Sequence, residues 1–191
     1  MSMKIEEFVF KGILASHAKR ELETAGLLRV PAMTAEERQD QDLFAAVSAS
    51  VRGASMQMQR CYRLLFVFEN LVREFISDRF REVDGPDWFD KRSTVPMKKK
   101  YEDRKVTEEK NQWHIGRNTH PIFYLDFGDL GLLIINHWAD FKDLLPNQAW
   151  LQSRIQEAER TRNVIAHTNT LAPEEGDRLE MYLRDWVRQI G

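Results

Sequence analysis

A single cysteine, Cys61, rules out any disulfide within the chain and any zinc site built on cysteines. It reads as a small apolar residue on a helix rather than a reactive thiol. No run of eighteen apolar residues occurs, so no transmembrane span is expected. Met1 to Gly12 mixes charged and apolar residues and lacks the apolar core and cleavage site of a signal peptide. With no disulfide to form, the cytoplasm is the expected compartment. The chain also lacks charge of one sign. A net charge of -2 excludes whole-molecule attraction to nucleic acid, so any such binding needs a local basic surface. There is no Gly-x-Ser-x-Gly turn, no strand scaffold to present one and no phosphate-binding glycine loop.

Only six prolines and nine glycines punctuate the 191 residues, and no alternating strand pattern persists. What remains reads as helix almost throughout, which predicts an all-α, up-and-down helical bundle. The length suits one domain with an extension: an N-terminal helical extension over 1–54 and a bundle over 55–191.

The pattern predicts an amphipathic helix from Ile5 to Leu28, with Phe8, Val9, Ile13, Leu14 and Leu22 as its apolar set. After a connector ending at Met33, Thr34 is placed to cap a new helix, with Glu37 three residues on as in a capping box. Arg52-Gly53-Ala54-Ser55 reads as a weak break. Met56 to Val83 is the strongest helix, with Tyr62, Leu65, Phe66, Glu69, Val72, Phe75, Ile76 and Phe80 recurring at helical steps until Gly85-Pro86 ends it. Asp87 to Pro96 reads as a loop, Met97 to Trp113 as a polar helix, and His114 to Tyr124 as a loop. Asp126 to Phe141 reads as one apolar helix. Asn147 is placed to cap the helix Ala149 to His167. The last helix opens around Thr170 to Pro173, with Glu174 and Glu175 at its positive end and Leu179, Tyr182, Leu183, Trp186, Val187 and Ile190 as its core stripe.

The chemistry concentrates in Arg162-Asn163-Val164-Ile165-Ala166-His167. Asn163 lies four residues before His167, so the two share a helix face. An imidazole titrating near neutral pH can take a proton from a ribose 2′-hydroxyl. A guanidinium grips phosphate oxygens in a fork and stabilises charge building at phosphorus. An amide can orient the imidazole or hydrogen-bond the substrate. RNA supplies its own nucleophile, so the site needs no metal and no cofactor. The products would carry a 2′,3′-cyclic phosphate and a 5′-hydroxyl. One histidine is thin for both acid and base roles, and a two-fold dimer would bring a second set opposite the first. The bland alternative is a helix C-terminus at which Arg162 and His167 complement the negative end and pair with Glu157, Glu159 or Glu174.

Arg162-Asn163 followed by His167 on the penultimate helix resembles the R-x(4–6)-H signature of HEPN domains. Leu64 to Ile76, and Tyr124 to Gly131 followed by Trp138 and Phe141, are similar to the Swt-type branch of the same superfamily; the resemblance covers roughly Ser55 to Gly191. It implies an all-α bundle and a homodimer with a composite cleft. Many members are metal-independent endoribonucleases in toxin–antitoxin, abortive-infection or RNA-processing systems; others are silent modules that bind RNA, a nucleotide or a protein partner. Some HEPN toxins carry a tyrosine two residues after the histidine, where a partner nucleotidyltransferase modifies it. Asn169 stands there in this chain, which argues against control by that type of partner; an antitoxin or other regulatory protein remains a possible partner.

The expected site is therefore Arg162, His167 and Asn163, with three functional readings open: ribonuclease, silent module, or a structural dimerisation bundle. Lys98, Lys99, Lys100 and Arg104, with Lys105, are candidates to steer RNA to the cleft, although Glu102 and Asp103 interrupt the run and a solvated helix face competes. Glu69, among apolar neighbours, either contacts Arg162 or His167 or sits in an ordinary ion pair. His114, His120 and His137 have no His-x-x-Glu-His or comparable spacing, so no metal is expected, and His17 reads as solvated. Trp88, Phe89, Trp113 and Phe123 either stack bases or plug gaps between helices, and gap-filling is the commoner use.

Overall fold

The computed structural model describes residues 5–26, 34, 39–40, 43–111, 113 and 116–190, which divide into two compact units, Met1–Ser48 and Ala49–Gly191. In the first unit, helix α1 spans Ile5–Thr24 and ends on the positive-φ Gly26. Of the expected apolar set, Ile13, Leu14 and Leu22 are exposed. Local pairs support the helix, His17 with Glu21 and Lys19 with Glu23 one turn on, as the solvated reading of His17 requires. The capping box expected at Thr34 rests on Ala35, Glu36 and Glu37, which lie outside the described residues.

The second unit is built on helix α2, Ala49–Asp84, whose 36 residues give a rod of about 54 Å. The break expected at Arg52–Ser55 is not there. Gly53 stands in open space, and a lone glycine costs a helix only about 1 kcal/mol. Ser55 Oγ donates to Arg52 O at 2.8 Å inside the helix rather than starting a new one. The helix stops at Gly85, whose φ of 81° suits glycine. Cys61, Leu65, Phe68, Val72, Ile76 and Phe80 form the buried stripe. Tyr62 and Phe66, expected in it, stay exposed because each falls one residue, about 100° of rotation, past a buried position.

Helix α3 (Trp88–Arg92) occupies what reads as loop in the sequence. Burial of Trp88 and Phe89 against the bundle holds this single turn, a tertiary effect that local propensity does not report. Both rings are core, the commoner of the two uses foreseen, and Phe123 is partly buried against the core. Trp113 is 77% exposed, so it does not fill a gap. Helix α4 runs Val95–Lys110, starting earlier than Met97 because Pro96 fits the first turn. A 3-10 turn, Pro121–Tyr124, follows.

The expected single helix from Asp126 to Phe141 is two, α5 (Phe127–Asn136) and α6 (Trp138–Phe141). They break at His137, whose ring lies 2.9 Å from Arg92 O and 3.3 Å from Arg92 Nη1. Helix α7 (Gln148–Ala166) is capped by Asn147, whose side chain accepts from Trp150 N at 2.8 Å. Helix α8 (Pro173–Ile190) opens with Glu175 accepting from the Ala172 N–H at 3.0 Å. It buries Leu179, Tyr182 and Trp186, while Val187 is exposed.

Trp186 is the hub of the core. Phe68 and Phe75 meet it edge-on at 5.8 and 5.5 Å, and Trp150 stacks on it at 6.2 Å. Such pairs add about 1 kcal/mol each beyond area burial. Two glycines leave room for tightly packed side chains of a facing helix. A Cβ on Gly131 of α5 would meet Ile155 Cγ2 of α7 at 2.9 Å, and one on Gly176 of α8 would meet Cys61 Sγ of α2 at 3.2 Å. Cys61 is thus a buried packing residue. The architecture is all-α, and no helix among the described residues is long and apolar enough to cross a membrane.

Candidate functional site at the end of helix α7

Helix α7 buries Leu151, Ile155 and Ala158. Arg162 follows Ala158 by four residues, so it continues this inward stripe and is half-buried instead of projecting into water. Asn163, one position on, is exposed, and so is His167 at the helix end. The expected trio is therefore split by the helix geometry: Arg162 faces inward while Asn163 and His167 face out. The Arg162 Nη1–H donates to Asn163 Oδ1 at 3.2 Å, so the amide engages the guanidinium and not the imidazole.

The helix closes through paired backbone bonds. Thr168 N donates to Ile165 O at 2.9 Å and Asn169 N to Val164 O at 3.1 Å, the pattern of a Schellman motif. The residue this motif places in the left-handed region is normally glycine; here it is Thr168, at φ 58°. A β-branched residue there is strained, and the strain sits directly beside His167. Asn169 Nδ2 donates to His167 O at 3.3 Å and completes the cap.

Arg73 on α2 belongs to this neighbourhood, and no reading of the sequence singles it out. It pairs with Glu69 one turn earlier; both side chains are nearly buried, 12% and 14% exposed. Its Nη1 donates to Asn70 Oδ1 at 3.4 Å, its guanidinium lies over the Phe123 ring at 5.4 Å, and its Nε is buried with no hydrogen-bond partner. Burial draws the Arg73 pKa below its ordinary value against the pull of Glu69, and the nearby positive charge of Arg162 lowers it further. The charges of Arg73 and Arg162 thus act on one another, with Glu69 paired to Arg73 and Asp126 acting on it more weakly. Of the two options for Glu69, the ordinary ion pair is the one observed. The signal available in the sequence was a glutamate and an arginine one turn apart among Leu65, Val72 and Ile76.

The three acids that the bland reading assigned to Arg162 and His167 are used otherwise. Glu157 accepts from Tyr182 Oη at 2.5 Å, with burial and that bond pushing the Tyr182 pKa up to about 12. The Glu159 carboxylate lies over Gly128, where an added Cβ would come within 2.6 Å of it. Glu174 is exposed in the first turn of α8. Among the described residues neither Arg162 nor His167 has a carboxylate partner.

The lysine-rich run on α4 has other duties as well. Lys98 Nζ donates to Asp90 O at 2.5 Å and Lys99 is exposed. Lys100 binds Asp126 at 2.9 Å and also Asp129, while Arg104 binds Asp126 at 2.9 Å and the Tyr124 carbonyl. These bonds fasten α4 to the start of α5. Burial pushes Asp126 up, but the hydrogen bonds and charges of Lys100 and Arg104 outweigh it and hold the carboxyl below its ordinary range. Lys105 lies over the Tyr101 ring at 5.6 Å. His120 stacks on Trp88 at 5.3 Å and accepts from Ile122 N at 3.3 Å; burial, then the charge of Arg81, lowers its pKa. With His137 held by Arg92, both histidines close local structure. His114 lies outside the described residues.

The family model for the Swt1-like HEPN domain matches residues 63–191, which takes in the Glu69–Arg73 pair and the whole Arg162–His167 segment. Comparison with curated proteins and with solved structures returns no significant match. The family match spans more than half of the chain and falls on the residues that build the bundle: the chain belongs to the Swt1-like HEPN family.

Proposed function

We propose that the protein is a metal-independent endoribonuclease that works as a homodimer, in a toxin, defence or RNA-processing setting and under the control of a regulatory protein. His167 takes the proton of a ribose 2′-hydroxyl. The O2′ attacks the adjacent phosphorus, the bond to O5′ breaks, and the leaving oxygen takes a proton from the imidazolium of the second copy. Arg162, steadied by Asn163, holds the phosphate oxygens as charge builds on them. The products are a 2′,3′-cyclic phosphate and a 5′-hydroxyl.

One observation carries this reading. Arg162 is a half-buried guanidinium on an inward-facing stripe, beside a second guanidinium at Arg73 and without a carboxylate of its own among the described residues. A cation partly withdrawn from water and left unpaired is costly in the resting protein, and an anion offsets that cost. The anion that matches a fork of N–H donors is a phosphate or carboxylate, and the imidazole at the same helix end is the group that acts on the neighbouring hydroxyl.

A second reading has its own observation. Asn163 engages Arg162, so no side chain of the same copy orients the His167 ring, as a silent binding module would also show. The test is cleavage of RNA in EDTA by wild type, His167→Ala and Arg162→Ala. Wild type is expected to yield cyclic-phosphate ends, and each substitution to slow cleavage by about a hundredfold or more. Equal cleavage by wild type and His167→Ala removes the enzyme reading. RNA binding by a protein that never cleaves selects the silent module.

A further inference from the structure

Alongside Arg73 on α2 lies an open groove whose lining includes Tyr62, Phe66, Glu69, Arg73, Arg117 and Phe123. Tyr62 and Phe66 are 56% and 57% exposed, one helical turn apart, with ring centroids 6.2 Å from each other. An aromatic pair left in water on the main helix of a bundle forgoes the burial that its neighbours Cys61 and Leu65 obtain. Two guanidiniums also line it, and Arg73, paired with Glu69, falls on the same face of α2 as the two rings. Arg73 rides over Phe123 at 5.4 Å, and Arg117 rides over Tyr124 at 5.5 Å while pairing with Glu108. The distance along the helix from Tyr62 to Arg73 is about 16 Å at 1.5 Å per residue, so the aromatics and the guanidinium lie along one continuous track.

We infer that this groove is the binding site for single-stranded RNA next to the scissile phosphate: Tyr62 and Phe66 stack two successive bases, and Arg73 and Arg117 face the backbone that joins them. The chemistry favours a nucleic-acid strand over a protein. Flat π faces beside guanidiniums are what unpaired bases and phosphates need. An apolar protein seam depletes charge at its centre, whereas here Arg73 and Glu69 are part of the lining. Arg73, at one end of the lining, lies close enough to Arg162 for the two charges to interact, which puts the groove in the neighbourhood of the proposed site. The inference rests on the reading of this protein as RNA-directed, and it deepens that reading by separating base binding from chemistry.

The experiment measures binding of a short fluorescein-labelled oligoribonucleotide with 2′-O-methyl groups, which cannot be cleaved. The full chain is compared with Tyr62→Ala, Phe66→Ala, the double variant, Phe66→Trp and His167→Ala. Each alanine is expected to weaken binding by about tenfold and the double variant by about a hundredfold. Phe66→Trp should keep affinity, since a larger ring still stacks, and His167→Ala should bind as wild type does. Both aromatics are exposed, so thermal unfolding should be unchanged, which separates lost binding from lost fold. Binding by the double variant equal to wild type overturns the groove while leaving the nuclease reading standing. Loss of binding that coincides with dissociation of a dimer by sedimentation also overturns it, and makes the groove a seam between copies. Failure of cleavage in every variant, with the affinity pattern intact, overturns the nuclease reading and keeps the groove.

Discussion

Gly128 and Gly131 stand three residues apart on α5, yet alanine at the two should act in opposite directions. At Gly131 the added Cβ would come within 2.9 Å of Ile155 Cγ2, with Ile155 Cβ and Cγ1 at 3.4 and 3.5 Å. The first distance falls about 0.6 Å short of ordinary carbon–carbon contact. Ile155 is only 3% exposed, is β-branched and sits mid-helix, so it cannot rotate away and α7 must shift. Overpacking of this kind costs about 1–3 kcal/mol. Alanine in place of a helical glycine returns up to about 1 kcal/mol. Gly131→Ala should therefore lose about 1–2 kcal/mol, or about 3–6 °C in Tm for a unit of this size. At Gly128 the added Cβ meets only the carboxylate end of Glu159, at 2.6 Å, and a flexible side chain swings clear at little cost. Gly128→Ala should keep Tm or raise it slightly. Differential scanning calorimetry on both variants settles the comparison, with Gly131→Ala/Ile155→Ala as the third member, in which the clash is gone and the glycine substitution should cost nothing more. Gly131→Ala matching Gly128→Ala in Tm would refute the close approach of α5 to α7.

Thr168→Gly removes a β-branched side chain from a left-handed backbone at φ 58°, and the relief should exceed the entropy cost of glycine by about 0.5–1 kcal/mol. The urea midpoint should rise at constant m-value; a fall would mean that the threonine makes a contact worth more than its strain. Asp126 is held below its ordinary carboxyl range by Lys100 and Arg104 after burial is overcome, so its contribution is complete above about pH 4 and disappears as pH drops through the lowered folded value. Wild type should be more stable than Asp126→Asn at neutral pH, and the gap should close in acid. A gap that persists unchanged in strong acid would show that the carboxylate charge is not what fastens α4 to α5.

Features of the fold that depend on neighbours in sequence were legible before the structure. The Asn147 cap, the acids at the positive end of α8 and the Leu65, Val72, Ile76 and Phe80 part of the α2 stripe all rest on groups within a few residues of one another, although the same local pattern also put Tyr62 and Phe66 in that stripe and a break at Arg52–Ser55. What escaped depends on distant partners. Lys100 looks free to bind RNA until Asp126 and Asp129, 26 and 29 residues later, are brought against it. The break between α5 and α6 requires Arg92, 45 residues before His137. Helix α3 exists because the bundle buries two rings, a condition that a single turn of sequence cannot announce. At the site the order is reversed. Arg162, Asn163 and His167 were legible as a group, but their division between an inward and an outward face comes from Arg162 extending the Leu151–Ile155–Ala158 stripe toward the interior.

That division bears on what the helix end is for. Three local departures from ordinary protein packing gather around it: Arg162 on a core-facing stripe without a carboxylate partner among the described residues, Thr168 in a conformation that suits glycine, and a buried Arg73 Nε with no acceptor. Each costs stability, on the order of 1–3 kcal/mol for backbone strain or an unmet buried donor. A purely structural bundle gains nothing from placing them together, because leucine at 162 or glycine at 168 would satisfy the same frame. Buried donors without a partner also occur at Trp88 Nε1, Ser93 Oγ, Arg154 Nε and Trp186 Nε1, so this helix end is set apart by combining unmet charge with backbone strain, not by an unmet donor alone. The unmet groups there are guanidinium donors, which a ligand carrying acceptors and negative charge would satisfy. On the reading proposed above, a strand of RNA laid from Tyr62 past Arg73 to Arg162 would meet both requirements with one ligand.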